Sequence, residues 1–257
     1  MSAPGPAARY LLAGIILFLL LLTFSAPAWL LQAPLARASG GKFTLEQPQG
    51  TFWHGQATAR IALDSGRAIK LETLSWTFLP LRILAGEAAV RLTLADPDVS
   101  GNVTIARTLR ATELHDLDLT VAFPPITAAF PQLELLKPGG RLHLTSAQLL
   151  LAQHITGEGI ASWQDASVSL SPVNPLGQYR AEIKFKDGAS ALRLISPEGP
   201  LRITGSGTWS ALDGLRLSGT ARADPAAQQR LEPLLRIMGT PQSDGSMRFN
   251  LPLGKGP

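Results

Sequence analysis

The chain reads KLETLSWTF from Lys70 to Phe78, with an apolar side chain at every second or third position. Successive side chains of a β-strand point to opposite faces, so this pattern predicts a strand with one buried face and one solvated face. Such a division is typical of antiparallel sheets, which pack one face on the core and leave the other in water. Residues 70–78 are therefore predicted to form an amphipathic strand.

The same alternation recurs on both sides of this strand, from Gly50 towards the C-terminus. Neighbouring segments lie roughly 8–12 residues apart, and Gly, Pro, Asp or Asn separates them, which is the spacing of an all-β domain. The sequence therefore predicts an all-β fold, a mainly antiparallel curved sheet or a sandwich with one or two short helices. A first strand is expected at 42–45, and the alternating segments are 60–63, 70–78, 90–94, 103–105, 117–121, 141–145, 168–171, 182–186, 192–194, 201–204, 215–218 and 247–251.

Two stretches depart from the alternation and predict helices. Pro125–Leu136 is expected to be a short helix bent at Pro131, because proline interrupts the helical hydrogen bonds. Pro225–Met238 has the stronger signals: Asp224 is a suitable N-cap, and proline is tolerated at the first helical position. Gly239 can close this helix at its C-terminal end. Its apolar stripe consists of Leu231, Leu234, Leu235 and Met238.

Each predicted helix follows a group of strands and precedes a glycine-containing turn and a further strand. Gly139 and Gly140 precede one of these strands, and Gly245 precedes the other. The repeated order indicates a loose internal duplication, since repeats are recognised by the same units recurring along a chain. The two halves would span about 42–140 and 141–257.

Residues Leu11–Leu31 form an apolar run, and no charge interrupts the sequence between Arg9 and Arg37. About 20 predominantly apolar residues are enough for a helix to cross a bilayer, so the run predicts a single N-terminal transmembrane anchor. Trp29 falls where interfacial aromatic residues are expected. We expect residues 1–10 to be a short cytoplasmic tail, 32–41 a linker, and 42–257 a periplasmic β-rich domain.

A cleaved signal peptide is the alternative interpretation of the same run. Leu11–Phe24 could serve as its hydrophobic region, with a small-residue cleavage site at 26–28 or 36–38. The apolar character continues through Trp29 and Leu31, which favours a retained anchor. Either interpretation places the rest of the chain across a membrane.

Composition excludes several classes of function. The 257 residues contain no cysteine, which excludes disulfides and thiolate metal sites. The net charge of +4 comes from dispersed basic residues rather than from a basic run, so nucleic-acid binding is not expected.

No catalytic or cofactor motif is present. The four histidines have no ligand-like spacing, and no Gly-x-Ser-x-Gly sequence occurs. Glycine-rich Gly157–Gly159 and Gly205–Gly207 lie between predicted strands and do not open a helix, as phosphate binding would require. We therefore predict a protein that is not an enzyme and has no cofactor, no metal and no small-molecule substrate.

Tryptophans near glycines are the candidate structural or docking residues. In three places a tryptophan follows a glycine by two to four residues, as if the strand starts or bends at the glycine and the indole covers it. Core packing and a docking surface are both possible roles, and packing is favoured because few other bulky side chains are nearby. The candidates are Gly50, Trp53, Gly55, Trp76, Trp163 and Trp209.

A series of short motifs runs in a characteristic order along nearly the whole chain, downstream of the apolar run. The motifs are GTFWHG at 50–55, LSW at 74–76, PL at 80–81, LAG at 84–86, VRL at 90–92, LGQY at 176–179, GPL at 199–201, GSGTW at 205–209, LL at 234–235, G at 239 and DG at 244–245. In this order the chain resembles the type II secretion system protein N family, also called general secretion pathway protein N. The resemblance implies a single-pass inner-membrane protein with a periplasmic domain, an accessory role in protein export, and other secretion-system components as partners. It supplies no catalytic or partner-contact residues.

AsmA-like periplasmic proteins are the alternative family, because an anchored, half-apolar antiparallel sheet is also their shape. They are thought to handle lipid in an apolar groove. The discriminating feature is whether a helix such as Pro225–Met238 covers the apolar face of the sheet.

Overall fold

The computed structural model describes residues 10, 14, 15, 18, 21, 24–186, 188–210 and 214–253. Its strands form one antiparallel sheet of 14 strands, so the all-β prediction is confirmed as a single sheet rather than a sandwich. Strands adjacent in sequence are adjacent in space, except that β14 lies between β12 and β13. The strands are β1 Phe43–Gly50, β2 His54–Ala62, β3 Ala68–Phe78, β4 Ala88–Ala95, β5 Val99–Arg107, β6 Thr112–Ala122, β7 Gly139–Leu151, β8 Ile155–Ser167, β9 Gly177–Lys186, β10 Ala189–Glu198, β11 Leu201–Ser210, β12 Gly214–Ala223, β13 Thr240–Pro241 and β14 Met247–Leu253.

Short helices flank and interrupt this sheet. The α-helices are α1 Gln32–Ala38, α2 Phe123–Ala129 and α3 Gln228–Met238, and the 3-10 helices are Ala28–Leu31, Pro80–Ala85 and Pro131–Leu135. The helix predicted over Pro125–Leu136 is found as two helices: α2 begins at Phe123 and ends at Ala129, and a 3-10 helix begins at Pro131, where the bend was predicted.

The predicted start of the last helix is wrong. Helix α3 begins at Gln228, and its N-cap is Ala227 rather than Asp224. The Asp224 carboxylate instead accepts a hydrogen bond from the Ala226 N–H at 3.2 Å, which holds the intervening residues in a turn. The prediction for its other end is confirmed, since the Gly239 N–H donates to the Leu235 carbonyl at 3.3 Å.

From β1 to β12, the connections between strands alternate between the two ends of the sheet, because each of these strands is antiparallel to the next. We call one end the Trp53 end; its described connections are 51–53, 79–87, 108–111, 152–154 and Gly188. We call the other the helix end, because α2 and α3 lie there; its connections are 63–67, 96–98, 123–138, 168–176, 199–200 and 224–239.

One face of the sheet carries the apolar side chains. Leu74 of β3 pairs with Leu94 of β4, and further across the sheet Leu119 of β6 pairs with Leu144 of β7. Directly opposed residues in an antiparallel ladder share a face. Two core clusters lie on this apolar face, one at each lateral side of the sheet.

The two clusters are covered by different parts of the chain. Residues 28–35, in the first 3-10 helix and α1, pack against β1 and belong to the core cluster of β1–β5, in which Ala28, Leu31 and Trp76 are buried. Helix α3 covers β12 and β14, with Leu231, Leu234 and Leu235 buried.

Much of the predicted anchor Leu11–Leu31 lies outside the described residues. Within the part of the chain that the structure describes, no helix is both long and apolar enough to cross a bilayer. Residues 10, 14, 15, 18, 21 and 24 are in α-helical conformation and are exposed. Ala28–Leu31, predicted as the end of the anchor, packs on the sheet, and the predicted linker 32–41 contains α1.

Candidate functional site

An aromatic cluster joins the N-terminal segment to the Trp53 end of the sheet. The rings of Phe52 and Phe78 are stacked with their centroids 4.9 Å apart, and Trp53 meets both rings edge-on. Phe24 lies against Trp53 at 6.0 Å. Phe78 ends β3, whereas Phe52 and Trp53 form the β1–β2 connection, so the cluster depends on the pairing of the first three strands.

Backbone hydrogen bonds hold the chain beside this cluster. The Phe52 N–H donates to the Ala26 carbonyl at 2.7 Å, and Pro27 forms an isolated antiparallel bridge with Thr51. The Phe78 N–H donates to the Trp53 carbonyl at 2.7 Å. The N-terminal segment therefore enters the folded domain at the Trp53 end and is attached there by both backbone and side chains.

The indole that covers a glycine here is Trp76, which is not the arrangement predicted for Trp53. A Cβ atom at Gly55 would lie 2.6 Å from Cζ2 of Trp76, so only glycine leaves room for the indole. Trp76 is 4% exposed, and its indole N–H donates to the Phe52 carbonyl at 3.1 Å. Gly50 has φ +90°, a conformation that glycine adopts without strain, at the end of β1.

Trp163 belongs to a second aromatic group near the helix end. Its ring lies 5.2 Å from Phe123 of α2 and 5.9 Å from Tyr179, and its indole N–H donates to the Gly139 carbonyl at 2.8 Å. The Tyr179 hydroxyl donates to the Leu201 carbonyl at 2.9 Å, and burial raises the pKa of that hydroxyl. These contacts are those of packing residues.

Trp209 is 41% exposed in β11, one residue before that strand ends. The six candidate residues therefore do not share the arrangement that the sequence predicted for them. The structure brings Gly50, Trp53, Gly55 and Trp76 together, and it places Trp163 and Trp209 elsewhere in the sheet.

The apolar face between the two core clusters is only half-buried. Helix α3 packs mainly on β12 and β14, and α2 contacts β6 and β7 at the helix end. We call the half-buried side chains between these covers the central strip: Leu117, Leu119, Leu144, Leu149, Ile183, Phe185 and Leu192. The helix predicted to cover the apolar face thus covers one side of it.

The opposite face carries a polar cavity of about 710 Å³. Asp118 and Glu182 line it, and two side-chain contacts border it: an ion pair of Lys184 with Glu158 at 2.8 Å, and a hydrogen bond between His143 and Asp118 at 2.9 Å. The hydrogen bond to Glu158 raises the pKa of Lys184. Among the described residues no group of three or more His, Asp or Glu side chains could hold a metal ion. The cavity is part of the solvated face of the sheet. Exposed ion pairs of this kind contribute little to stability.

Sequence reasoning missed the exposed leucines at the Trp53 end. Leu81 and Leu84 lie in the 3-10 helix Pro80–Ala85, and Leu109 lies in the β5–β6 turn. Their signal in the sequence was an apolar residue within two positions of a proline or an arginine, between two alternating segments. That signal indicates a turn but not which turns share an end of the sheet.

Comparison with protein-family models identifies type II secretion system protein N, whose model matches residues 42–250. Comparisons with curated proteins and with solved structures find no significant match. The matched segment begins one residue before β1 and ends within β14, so it coincides with the sheet. The suspected family is therefore confirmed, and with it a function as a component of type II secretion: the chain belongs to the type II secretion system protein N family.

Proposed function

We propose that the protein is a non-catalytic scaffold component of the type II secretion machinery, held to the bacterial inner membrane by the part of the apolar run Leu11–Leu31 that precedes Ala26, with its sheet in the periplasm. The observation that carries the proposal is the attachment of the N-terminal segment at the Trp53 end. Phe24 packs on Trp53, and Phe52 is hydrogen-bonded to the Ala26 backbone. An anchor that ends there is coupled rigidly to the sheet.

A rigid coupling suits a scaffold because it orients the sheet relative to the membrane. The segment then crosses the apolar face as the first 3-10 helix and α1, and its buried residues join the core of β1–β5. Family membership supports other secretion components as the partners. The sheet presents them with a large solvated face.

Complementation of a deletion strain tests the proposal. Cells lacking the protein should lose export of type II substrates, and the intact chain should restore it. Trp53→Ala should impair export while leaving the protein at its normal level, with Trp209→Ala as the matched control. Purification from detergent-solubilised membranes should recover other secretion components with the intact chain. Normal export from the deletion strain would contradict the proposal.

The half-buried central strip favours lipid handling as a second candidate function. An apolar surface that stays accessible to solvent can be a ligand site rather than a chance feature. A photoreactive amino acid at Leu144 distinguishes the two candidates in living cells, with Thr145 on the opposite face as the control. Cross-linking of Leu144 to phospholipid would support the lipid carrier, and cross-linking to another secretion component would support the scaffold.

A further inference from the structure

Three leucines project into solvent at the Trp53 end. Leu81 is 80% exposed, Leu84 is 87% exposed and Leu109 is 102% exposed. Large apolar side chains gathered at an accessible surface indicate contact with a protein or a membrane. Each of the three lies in a connection, where a polar residue would serve the turn equally well.

The topology of the sheet places these leucines beside one another. The 3-10 helix Pro80–Ala85 connects β3 to β4, and the turn 108–111 connects β5 to β6. Strands β4 and β5 are neighbours, and adjacent strands are about 4.8 Å apart, so the two connections are within roughly 10–15 Å. The leucines therefore form one apolar edge, which we call the leucine edge.

Basic side chains accompany the leucine edge. Arg82, Arg107 and Arg110 lie in or next to the two connections, with Glu87 as the acidic residue among them. Arg82 pairs with Glu87 at 3.3 Å. Leucines beside arginines form the combination that binds the interface of an anionic bilayer, where apolar groups enter the headgroup boundary and cations meet phosphate.

The opposite ends of the same hairpins have the reverse charge. The connections 63–67, 96–98 and 123–138 at the helix end carry the acidic residues Asp64, Asp96, Asp98 and Glu134 and the basic residues Arg67 and Lys137. Four acidic residues with two basic ones would be repelled by anionic lipid. The charge of these hairpins thus selects the Trp53 end as the one that faces such a surface.

The path of the N-terminal segment also indicates that the Trp53 end faces the membrane. Phe24, the last α-helical residue before the 3-10 helix Ala28–Leu31, lies against Trp53. Phe78, which belongs to the same aromatic cluster, lies two residues before the 3-10 helix of the leucine edge. A membrane that holds the residues before Phe24 would face the leucine edge directly.

We propose that the leucine edge is a membrane-contacting surface, with Leu81, Leu84 and Leu109 in the headgroup region of an anionic bilayer and the neighbouring arginines at its phosphates. This inference rests on the proposed anchor. It adds a second attachment, which makes the strands stand upright on the membrane with the helix end farthest from it.

Single cysteine variants test the inference directly, because the chain contains no cysteine. Leu84→Cys and Leu109→Cys carry a nitroxide spin label in the full chain, reconstituted into vesicles of phosphatidylglycerol and phosphatidylethanolamine. Leu135→Cys is the matched control, since Leu135 is 84% exposed but lies at the helix end. The two leucine-edge labels should collide more with oxygen and less with a water-soluble nickel chelate than the control label. An aqueous signature at all three positions would overturn the inference.

A charge reversal provides a second experimental test of the inference. In Arg107→Glu/Arg110→Glu the leucine-edge labels should become accessible to the nickel chelate, because each basic residue near an anionic surface favours association about fivefold. The same change in purely phosphatidylcholine vesicles should have much less effect. Insertion that is unchanged by the reversal in anionic vesicles would contradict the role assigned to the arginines.

Flotation of the same vesicles separates this inference from the anchor proposal. Chains that float with vesicles but keep aqueous labels would retain the anchor and overturn the leucine edge. Chains that do not float would overturn the anchor, and the leucine edge with it.

Discussion

At the scale of single residues, tryptophans near glycines have different roles that depend on burial. Trp76 fills the space above Gly55 and is almost fully buried, whereas Trp209 is 41% exposed. The neighbouring sequence does not predict this difference, since Trp209 follows Gly207 by two residues whereas the glycines nearest to Trp76 in sequence are Gly66 and Gly86. The difference comes from strand pairing, which sets Trp76 directly opposite Gly55.

Truncation should separate these two tryptophans. Trp76→Ala removes a buried indole and its hydrogen bond, and it should lower the free energy of unfolding by about 3–5 kcal/mol. Trp209→Ala should change it by less than about 1 kcal/mol, because surface substitutions have small effects. Urea denaturation followed by circular dichroism measures both. Equal losses would show that the two indoles contribute alike.

The buried hydroxyl of Tyr179 should make stability fall in alkaline solution. Burial raises its pKa above the ordinary value of 10.0, so the hydroxyl stays neutral in the folded chain at a pH at which it ionises in the unfolded chain. The stability that the neutral, buried hydroxyl contributes is fully present below pH 10 and is lost as the pH rises above 10. Unfolding measured against pH should show a smaller alkaline loss for Tyr179→Phe than for the parent. An identical alkaline loss in the two proteins would contradict this reasoning.

At the scale of elements, each cover of the sheet protects only part of the apolar face. Helix α3 is amphipathic, with Leu231 fully buried and Ile237 75% exposed on its other side. The first 3-10 helix and α1 cover the opposite side of the sheet. The two covers leave the central strip between them, and no local sequence pattern indicates this gap.

Two substitutions in α3 should differ strongly. Leu231→Ala empties a closed site and should cost about 2–5 kcal/mol, whereas Ile237→Ala should change stability by less than about 1 kcal/mol. Alanine favours helix at both positions, so the comparison isolates packing. Thermal unfolding of both variants provides the measurement, and a similar cost for the two would mean that α3 does not pack through Leu231.

The N-terminal segment should detach when its aromatic contact is removed. Trp53→Ala deletes the ring that links Phe24 to Phe52 and Phe78, and amide exchange at residues 28–31 should become at least about tenfold faster. Trp163→Ala removes a ring of similar size near the helix end and should leave exchange at 28–31 unchanged. Mass spectrometry of exchanged peptides compares the two variants. Unchanged exchange in Trp53→Ala would show that backbone hydrogen bonds alone hold the segment.

At the scale of the whole molecule, the fold is a long antiparallel meander with two lateral covers. Six strands precede α2 and six more precede α3, which is the order expected from two related halves. The duplication itself stays a prediction, since similar element order does not establish a common origin. The meander places every second connection at the same end, and this property makes the leucine edge possible.

The anchor prediction can be checked on the protein isolated from membranes. We expect the mature chain to keep Met1 or Ser2 at its start, because apolar character extends beyond an ordinary signal-peptide core. Mass determination of the intact chain distinguishes this from cleavage. A protein that begins at Trp29 or Ser39 would show that the apolar run is a signal peptide.

The sequence by itself determined the class of the fold, the position of most strands and the presence of both predicted helices. Alternation, proline and glycine act through local backbone geometry, which neighbouring residues specify. Local backbone geometry did not specify the residue at which α3 starts. The Asp224 N–H donates to the Pro200 carbonyl at 2.7 Å, so a backbone bond to the β10–β11 connection holds residue 224 directly after β12, where the local pattern indicates a helix.

Only the tertiary structure decided which indole covers Gly55, which part of the apolar face is left uncovered, and which exposed leucines share an end. Each of these depends on strand register and on contacts between residues far apart in sequence. A shift of one residue in pairing would send Trp76 to the solvated face, because side chains alternate between faces along a strand. Register arises from the joint packing of the paired strands, and therefore no single segment specifies it.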